Sequence, residues 1–481
     1  MKFTNEIDIF INDYVKDLNA GTASIFAGAG LSIPAGFVNW TDLMSEIATD
    51  LGLDLNVEKD LISIAQYHVN ENQNRTKINR KILEEFTEDV NETENHRIIS
   101  RLPFSSIWTT NYDKLIETAI EKEYKIVDVK YTIDQLLTTK PKRDVVIYKM
   151  HGDVNHPNDA ILTKQQYEQY YQTHEPFINA LSGELTTKTF LFVGFSFNDP
   201  NLDYVLSRLN FRFRQQQRQH YCFVKTPKIG DYNIPDKASL DYSIKKQNLI
   251  VNDLKRYGIK SLRIENYSDI TAVLEEIEKR YKKQTIFISG SAEIYDPLDR
   301  NSALGFIHNL SKIIIKNDYR IVNGFGWGVG SSVINGALEE IYNNPKKHSE
   351  SQLILKPFPQ FETGKKKLNE MWEEYRQNMI SKCGIAIFIF GNKQVNDKIE
   401  VANGVIREFE IAHQNGCICI PIGLTGYAST DIYNQIMKEQ EKYYEEPDKI
   451  ISIINLLSNP STTLDSALEQ IEKLLKQLKK N

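Results

Sequence analysis

Ser24-Ile25-Phe26-Ala27-Gly28-Ala29-Gly30-Leu31-Ser32 is the stretch on which the reading of this 481-residue chain turns. Its first four residues make a short run without alternation, the pattern of a strand buried on both faces of a parallel sheet. The run opens into Gly28, Ala29 and Gly30, where small residues let backbone N–H groups approach a pyrophosphate at a following helix N-terminus. A tight strand-to-helix turn without a ligand has the same sequence, so the loop is weighed with the rest of the chain.

Working outward, further apolar runs lie at 107–110, 145–150, 190–197, 286–290, 319–323, 385–390 and 418–423, separated by helical stretches. Strand and helix in alternation give an α/β class with parallel sheets. A charged helical stretch, 274–283, ends just before a fresh strand at Thr285. This predicts two Rossmann-like domains in tandem, 1–283 and 284–481. The first is longer than a minimal doubly wound sheet needs, and 51–90 carries helical but no strand signals, which reads as a helical insertion. Near the C-terminus, Leu464, Leu468, Ile471, Leu475 and Leu478 fall on one helical stripe, expected to pack onto its own domain.

Hydrophobic residues at 41%, charged residues at 25% and a net charge of -6 describe an ordinary globular chain. The basic field that non-specific nucleic-acid binding needs is missing. Four cysteines without a Cys-x2-Cys pair argue against both a disulfide framework and zinc, and for a reducing compartment. No window approaches the roughly 18 consecutive apolar residues of a membrane span, so a cytoplasmic protein is expected.

Three more segments stand at predicted strand ends, where open α/β sheets place ligands. In Thr109-Thr110-Asn111-Tyr112-Asp113, the Asn111 carboxamide can hold a ribose hydroxyl or a water by donating and accepting, or can simply cap a helix. In Lys149-Met150-His151-Gly152-Asp153, His151 suits general-base work near neutral pH, or a structural role. Gly194 and Ser196 close the strand Phe190-Leu191-Phe192-Val193, ahead of the turn Asn198-Asp199-Pro200. Neither a His-Glu-x-x-His metal motif nor a Gly-x4-Gly-Lys phosphate loop occurs.

In this order, the four segments resemble the sirtuin-like NAD-binding domain over residues 1–280. The resemblance implies NAD as substrate, with Asn111 and His151 in the catalytic pocket and no metal. It also implies that Gly28, Ala29, Gly30 and Ser32, with Thr110 and Asp113, contact the cofactor, and that Gly194 and Ser196 lie on its adenosine side. The Gly-Ile-Pro-Asp-Phe-Arg stretch and paired zinc cysteines of deacylating sirtuins are absent, which turns the expectation from deacylation to cleavage of the nicotinamide-ribose bond.

In the second half, Ser289-Gly290-Ser291 follows a strand, and Gly324, Gly326, Gly328 and Gly330 alternate between a strand and a helix, a second phosphate-type turn or a tight packing device. Arg376 and Lys393 could neutralise an anion, and Glu408 could accept ribose hydroxyls. This half resembles a SLOG nucleotide-sensing domain. Sirtuin-like followed by SLOG is the domain order of the effectors of bacterial Thoeris anti-phage defence. That resemblance implies a homo-oligomer, a tetramer or larger, that depletes NAD when the SLOG domain binds a cyclic ADP-ribose isomer made by a partner TIR-domain synthase. Its implied effector contacts are Gly290, Ser291, Gly324, Gly326, Arg376, Lys393 and Glu408. A sirtuin-type deacylase and a non-catalytic NAD sensor are the rival readings.

Overall fold

The computed structural model describes residues 3–87, 90–362, 364 and 366–480. Two compact units make up the chain, residues 1–278 and 279–481. The division falls inside helix Ser268–Lys283.

The first unit is built on seven parallel strands: β1 (Ala23–Ala27), β2 (Ser106–Thr109), β3 (Val127–Lys130), β4 (Val145–Lys149), β5 (Thr189–Val193), β6 (His220–Lys225) and β7 (Ile259–Ile264). They lie in the order β3-β4-β2-β1-β5-β6-β7. Every residue of β1, β2 and β5 is buried, as their unalternating sequence requires. β1 leads to β2 on one side and β5 leads to β6 on the other, so the strand order reverses between β1 and β5. Loops leaving such a reversal open the crevice in which α/β sheets bind ligands.

Between β1 and β2 the chain is helical, with Leu61–Asn72 and Thr76–Phe86 inside the predicted insertion; Glu88 and Asp89 lie outside the described residues. The insertion's Ile64 and Ile82 share a core with Leu43 and Ile47 ahead of it, and that core also holds Tyr112 and Val154. It therefore buttresses the loops that follow β2 and β4.

The second unit has β8 (Thr285–Ser291), β9 (Arg320–Asn323), β10 (Leu353–Leu355), β11 (Ile385–Phe390), a hairpin of β12 (Asn392–Val395) and β13 (Lys398–Val401), and β14 (Ile418–Pro421). Its parallel sheet runs β10-β9-β8-β11-β14, with the reversal between β8 and β11. Helix Leu464–Lys480 buries Leu468, Ile471 and Leu475 in this unit's core, as its stripe predicts. All four cysteines are buried and free.

Two local expectations need correction. The run 190–197 is a strand only to Val193, because Gly194 turns the chain with φ +65°. The Gly28 loop does not enter a long helix; two 3₁₀ turns, Ala29–Leu31 and Ile33–Ala35, follow it. The helix dipole assumed for that loop is correspondingly small.

Candidate functional site

At the reversal between β1 and β5 two backbones cross. A Cβ at Gly28 would stand 2.5 Å from the Gly194 oxygen, one at Gly30 2.8 Å from Gly194 Cα, and one at Gly194 2.3 Å from Leu31 N. The Gly28 N–H donates to the Val193 oxygen and the Gly30 N–H to the Gly194 oxygen, both at 2.9 Å. These two amides are thus committed to the crossing, which corrects the expectation that they face a phosphate. Ser196 is exposed in the loop beyond.

Asn111 sits just past β2 and is 8% exposed. Its backbone N–H donates to Thr109 Oγ1, and its Nδ2 donates to the Gly28 oxygen and to Ser32 Oγ, both at 3.1 Å. A carbonyl oxygen can only accept, so the Gly28 contact fixes the amide orientation. The carboxamide that sequence reasoning expected to donate and accept has both donors engaged. Its Oδ1 takes no bond among the described residues and remains as an acceptor. Thr110 lies beside it, its N–H on the Ala27 oxygen.

His151 follows β4 and is 2% exposed. Gly152 carries φ +96°, and a Cβ there would approach Ala160 Cα to 3.1 Å, so the turn that places the histidine needs glycine. The ring meets Tyr167 edge to face at 5.4 Å between centroids. Its Nε2 lies 3.0 Å from Asp199 Oδ2, without the alignment of a hydrogen bond.

Lys149 joins the two loops and was not among the expected site residues. Fully buried, its Nζ shares three N–H donors among four oxygens within hydrogen-bond distance, the carbonyls of Tyr112 (3.0 Å) and Asp113 (2.6 Å) and the carboxylates of Glu117 (2.9 Å) and Asp153 (2.6 Å). Burial lowers its pKa, but Glu117, Asp153 and Asp113 more than reverse that, and it stays charged. Burial raises the Glu117 pKa, and Lys149 offsets only part of this. Asp113 Oδ1 caps Leu115 N at 3.0 Å, a local structural task. The sequence signal for Lys149 is a cation at the end of a strand buried on both faces, which has to be paired.

In the second unit backbones again meet closely, the loop after β9 against the end of β8, and β8 against β11. Cβ atoms at Gly326 and Gly328 would stand 2.0 Å from the oxygens of Gly290 and Ala292, and one at Gly290 2.5 Å from that of Ile389. Gly324 packs on Phe358, and the Arg376 guanidinium lies 5.2 Å above the same ring. Arg376 Nε is 3.5 Å from Glu408 Oε1. Glu408 is buried, and Ser289 Oγ donates to its Oε2 at 2.6 Å. Its pKa is raised by burial, with Ser289 and Arg376 pulling it back in part. Its oxygens face Ser289 and Arg376. Ser291 Oγ donates to the Asn392 oxygen. Lys393 is exposed on the hairpin, in register with Glu400.

Among the described residues, no cluster of His, Cys, Asp or Glu could hold a metal ion, and no helix is long and apolar enough to cross a membrane.

Comparison with known proteins follows the same division. The SIR2-like domain family matches residues 105–251, and the Sir2- and TIR-associating SLOG family matches residues 269–478. The chain is 47% identical over 475 residues to the NAD(+) hydrolase ThsA of Bacillus cereus (strain MSX-D12), covering 98% of each chain. It is 43% identical over 448 residues to that of Acinetobacter baumannii (strain 532279), covering 92% of each. A more distant relative, Defense-associated sirtuin 2 of Bacillus subtilis, is 23% identical over 338 residues, 66% of this chain and 32% of that one. Identity at this level over nearly the full length places the chain in the ThsA family of NAD(+) hydrolases, with a SIR2-like domain followed by a SLOG domain.

Proposed function

We propose that this protein hydrolyses NAD+ at the nicotinamide-ribose bond and that a nucleotide signal bound by its second unit switches the reaction on. Water adds to the ribose carbon, nicotinamide leaves as a neutral molecule, and one proton is released. The transition state resembles an oxocarbenium ion, so the protein's tasks are to position the ribose and to activate one nucleophile. The observation that carries this reading is the free Asn111 Oδ1, held beside the crossing of the Gly28 and Gly194 backbones. That oxygen accepts a hydrogen bond from the attacking water or from a ribose hydroxyl, and His151 accepts the one proton that is lost.

A constitutive NADase would harm its own cell, which supports a gate, and a signal can shift the equilibrium only by its differential affinity for the active state. The signal class is a cyclic ADP-ribose isomer supplied by a TIR-domain enzyme. Its pyrophosphate is neutralised by Arg376 and Lys393, in a cytoplasmic homo-oligomer acting in defence against phage. The ThsA names of the relatives, the defence named for the B. subtilis relative and the TIR association of the second family support this. The test is nicotinamide release from NAD+ by the purified protein, with and without cyclic ADP-ribose isomers. Release that requires an isomer, and falls at least about 10²-fold in Asn111→Ala, is expected. Bound but uncleaved NAD+ under all conditions would refute hydrolysis.

A further inference from the structure

If His151 accepts a proton, the carboxylate against its ring decides which nitrogen does so. Asp199 begins helix Pro200–Phe213, and its Oδ1 accepts the Leu202 N–H at 2.9 Å as the N-cap. Its Oδ2 is the oxygen 3.0 Å from His151 Nε2, in a pair whose side chains are 9% and 2% exposed. Burial pushes the Asp199 pKa up, but the His151 ring and the N–H groups of Leu202 and Asn201 more than compensate, and the group stays ionised. An ionised carboxylate only accepts, so the 3.0 Å contact, although not aligned as a hydrogen bond, favours the ring proton on Nε2. Nδ1 is then the nitrogen with the lone pair; like Nε2 it is buried without a hydrogen bond in the protein.

The other groups around the ring bring no competing negative charge. Tyr167 and Tyr170 of helix Lys164–Thr173 are held as phenols by burial, as is Tyr112 of the loop after β2. His174, at the end of that helix, is pushed toward neutrality by its burial and by His151. On the histidine's own segment, Asp153 is paired with Lys149.

We propose that Asp199 is the positioning residue of this site: it fixes His151 as the Nε2–H tautomer, leaves Nδ1 as the base, and sustains the imidazolium formed when the proton arrives. The inference rests on the NAD-cleavage reading above. No charge moves on to Asp199; the proton stays on the ring until product leaves.

Asp199→Asn tests it cleanly, because Asn caps a helix as well as Asp does. The expected result is a fall in kcat of about 10²- to 10⁴-fold with KM little changed. The acid limb of the pH-rate profile moves to lower pH, since the imidazolium loses its counter-charge. Asp199→Glu restores part of the rate. Nitrogen NMR of labelled histidines gives a readout independent of turnover: protonated Nε2 in the parent, and a lower ring pKa in Asp199→Asn. An Nδ1–H tautomer in the parent protein, or an Asn variant with unchanged kcat and acid limb, overturns the proposal. A parent protein that shows the Nε2–H tautomer but never cleaves NAD+ overturns the hydrolase reading, and with it the catalytic role of Asp199.

Discussion

Replacing Lys149 by Met tests how the two loops of the site are held together. The substitution keeps most of the side-chain volume and removes one buried charge that faces two carboxylates and two carbonyls. Breaking a buried ion pair by deleting one partner costs about 3–5 kcal/mol, and each orphaned carbonyl adds about 1 kcal/mol. Glu117 offsets part of this by taking a proton, since its pKa is already raised. A net loss of about 4 kcal/mol is therefore expected, a large share of the roughly 5–15 kcal/mol of a native domain. Urea unfolding followed by circular dichroism, with nicotinamide release measured in parallel, reads both effects. The loss should shrink at pH 5 relative to pH 8, because the stranded carboxylates protonate more readily there. Adding Glu117→Gln and Asp153→Asn should recover part of it. A Lys149→Met variant within about 1 kcal/mol of the parent would refute the clamp.

Gly194→Ala should abolish nicotinamide release, because its Cβ would meet Leu31 N at 2.3 Å at a φ of +65°; normal turnover in a folded variant would show that the crossing is dispensable. Arg376→Ala should raise the activating concentration of the signal at least about tenfold while leaving the maximal rate unchanged, since one charge-assisted contact is worth about 1.5–3 kcal/mol; an unchanged dose response would place the pocket elsewhere. Burial lowers the His220 pKa to about 3 and that of His96 to about 4. The unfolded chain therefore binds these protons first, and stability should fall as pH drops below about 6.5, by about 1.4 kcal/mol per pH unit per histidine. Denaturant unfolding at pH 7 and pH 5 checks this, and equal stabilities would mean that neither ring is held neutral.

What was legible in the sequence follows from how each strand is buried. β1, β2, β4 and β11 sit inside their sheets and read as unbroken apolar runs. β3 (Val-Asp-Val-Lys) and β7 (Ile-Lys-Ser-Leu-Arg-Ile) are edge strands whose polar residues break the run, and they are not among the predicted strands. β6 was hidden because its first residue, His220, is buried where the chain looks polar; its Nδ1 accepts the Phe190 N–H at 3.2 Å. Asn111 and His151 stand at predicted strand ends, and it is the resemblance to sirtuin-like domains, not either residue alone, that implies their roles. Lys149 and Asp199 were not legible, because each looks locally ordinary: a strand end, and an Asp-Pro helix start. Their significance comes from contacts across the sheet, to Glu117 and to His151, which no local window contains.

The two glycine loops show why a motif and its mechanism have to be separated. In each the missing side chains are required by another backbone before any ligand is considered: Gly28 and Gly30 by Gly194 at the strand reversal, and Gly326 and Gly328, after β9, by Gly290 and Ala292 at the end of β8. Such a crossing brings the loops of neighbouring strands to one point, and the chemistry then depends on which polar atoms remain unengaged there. In the first unit these include Asn111 Oδ1 and His151 Nδ1, the two atoms that the proposed activation of a water or ribose hydroxyl uses. In the second unit the cation Arg376 stands over Phe358 beside a buried glutamate, an arrangement suited to holding an anion and lacking a free base. On the function proposed above, the residues around the glycines, and not the glycines themselves, are what divide proton acceptance in one unit from anion recognition in the other.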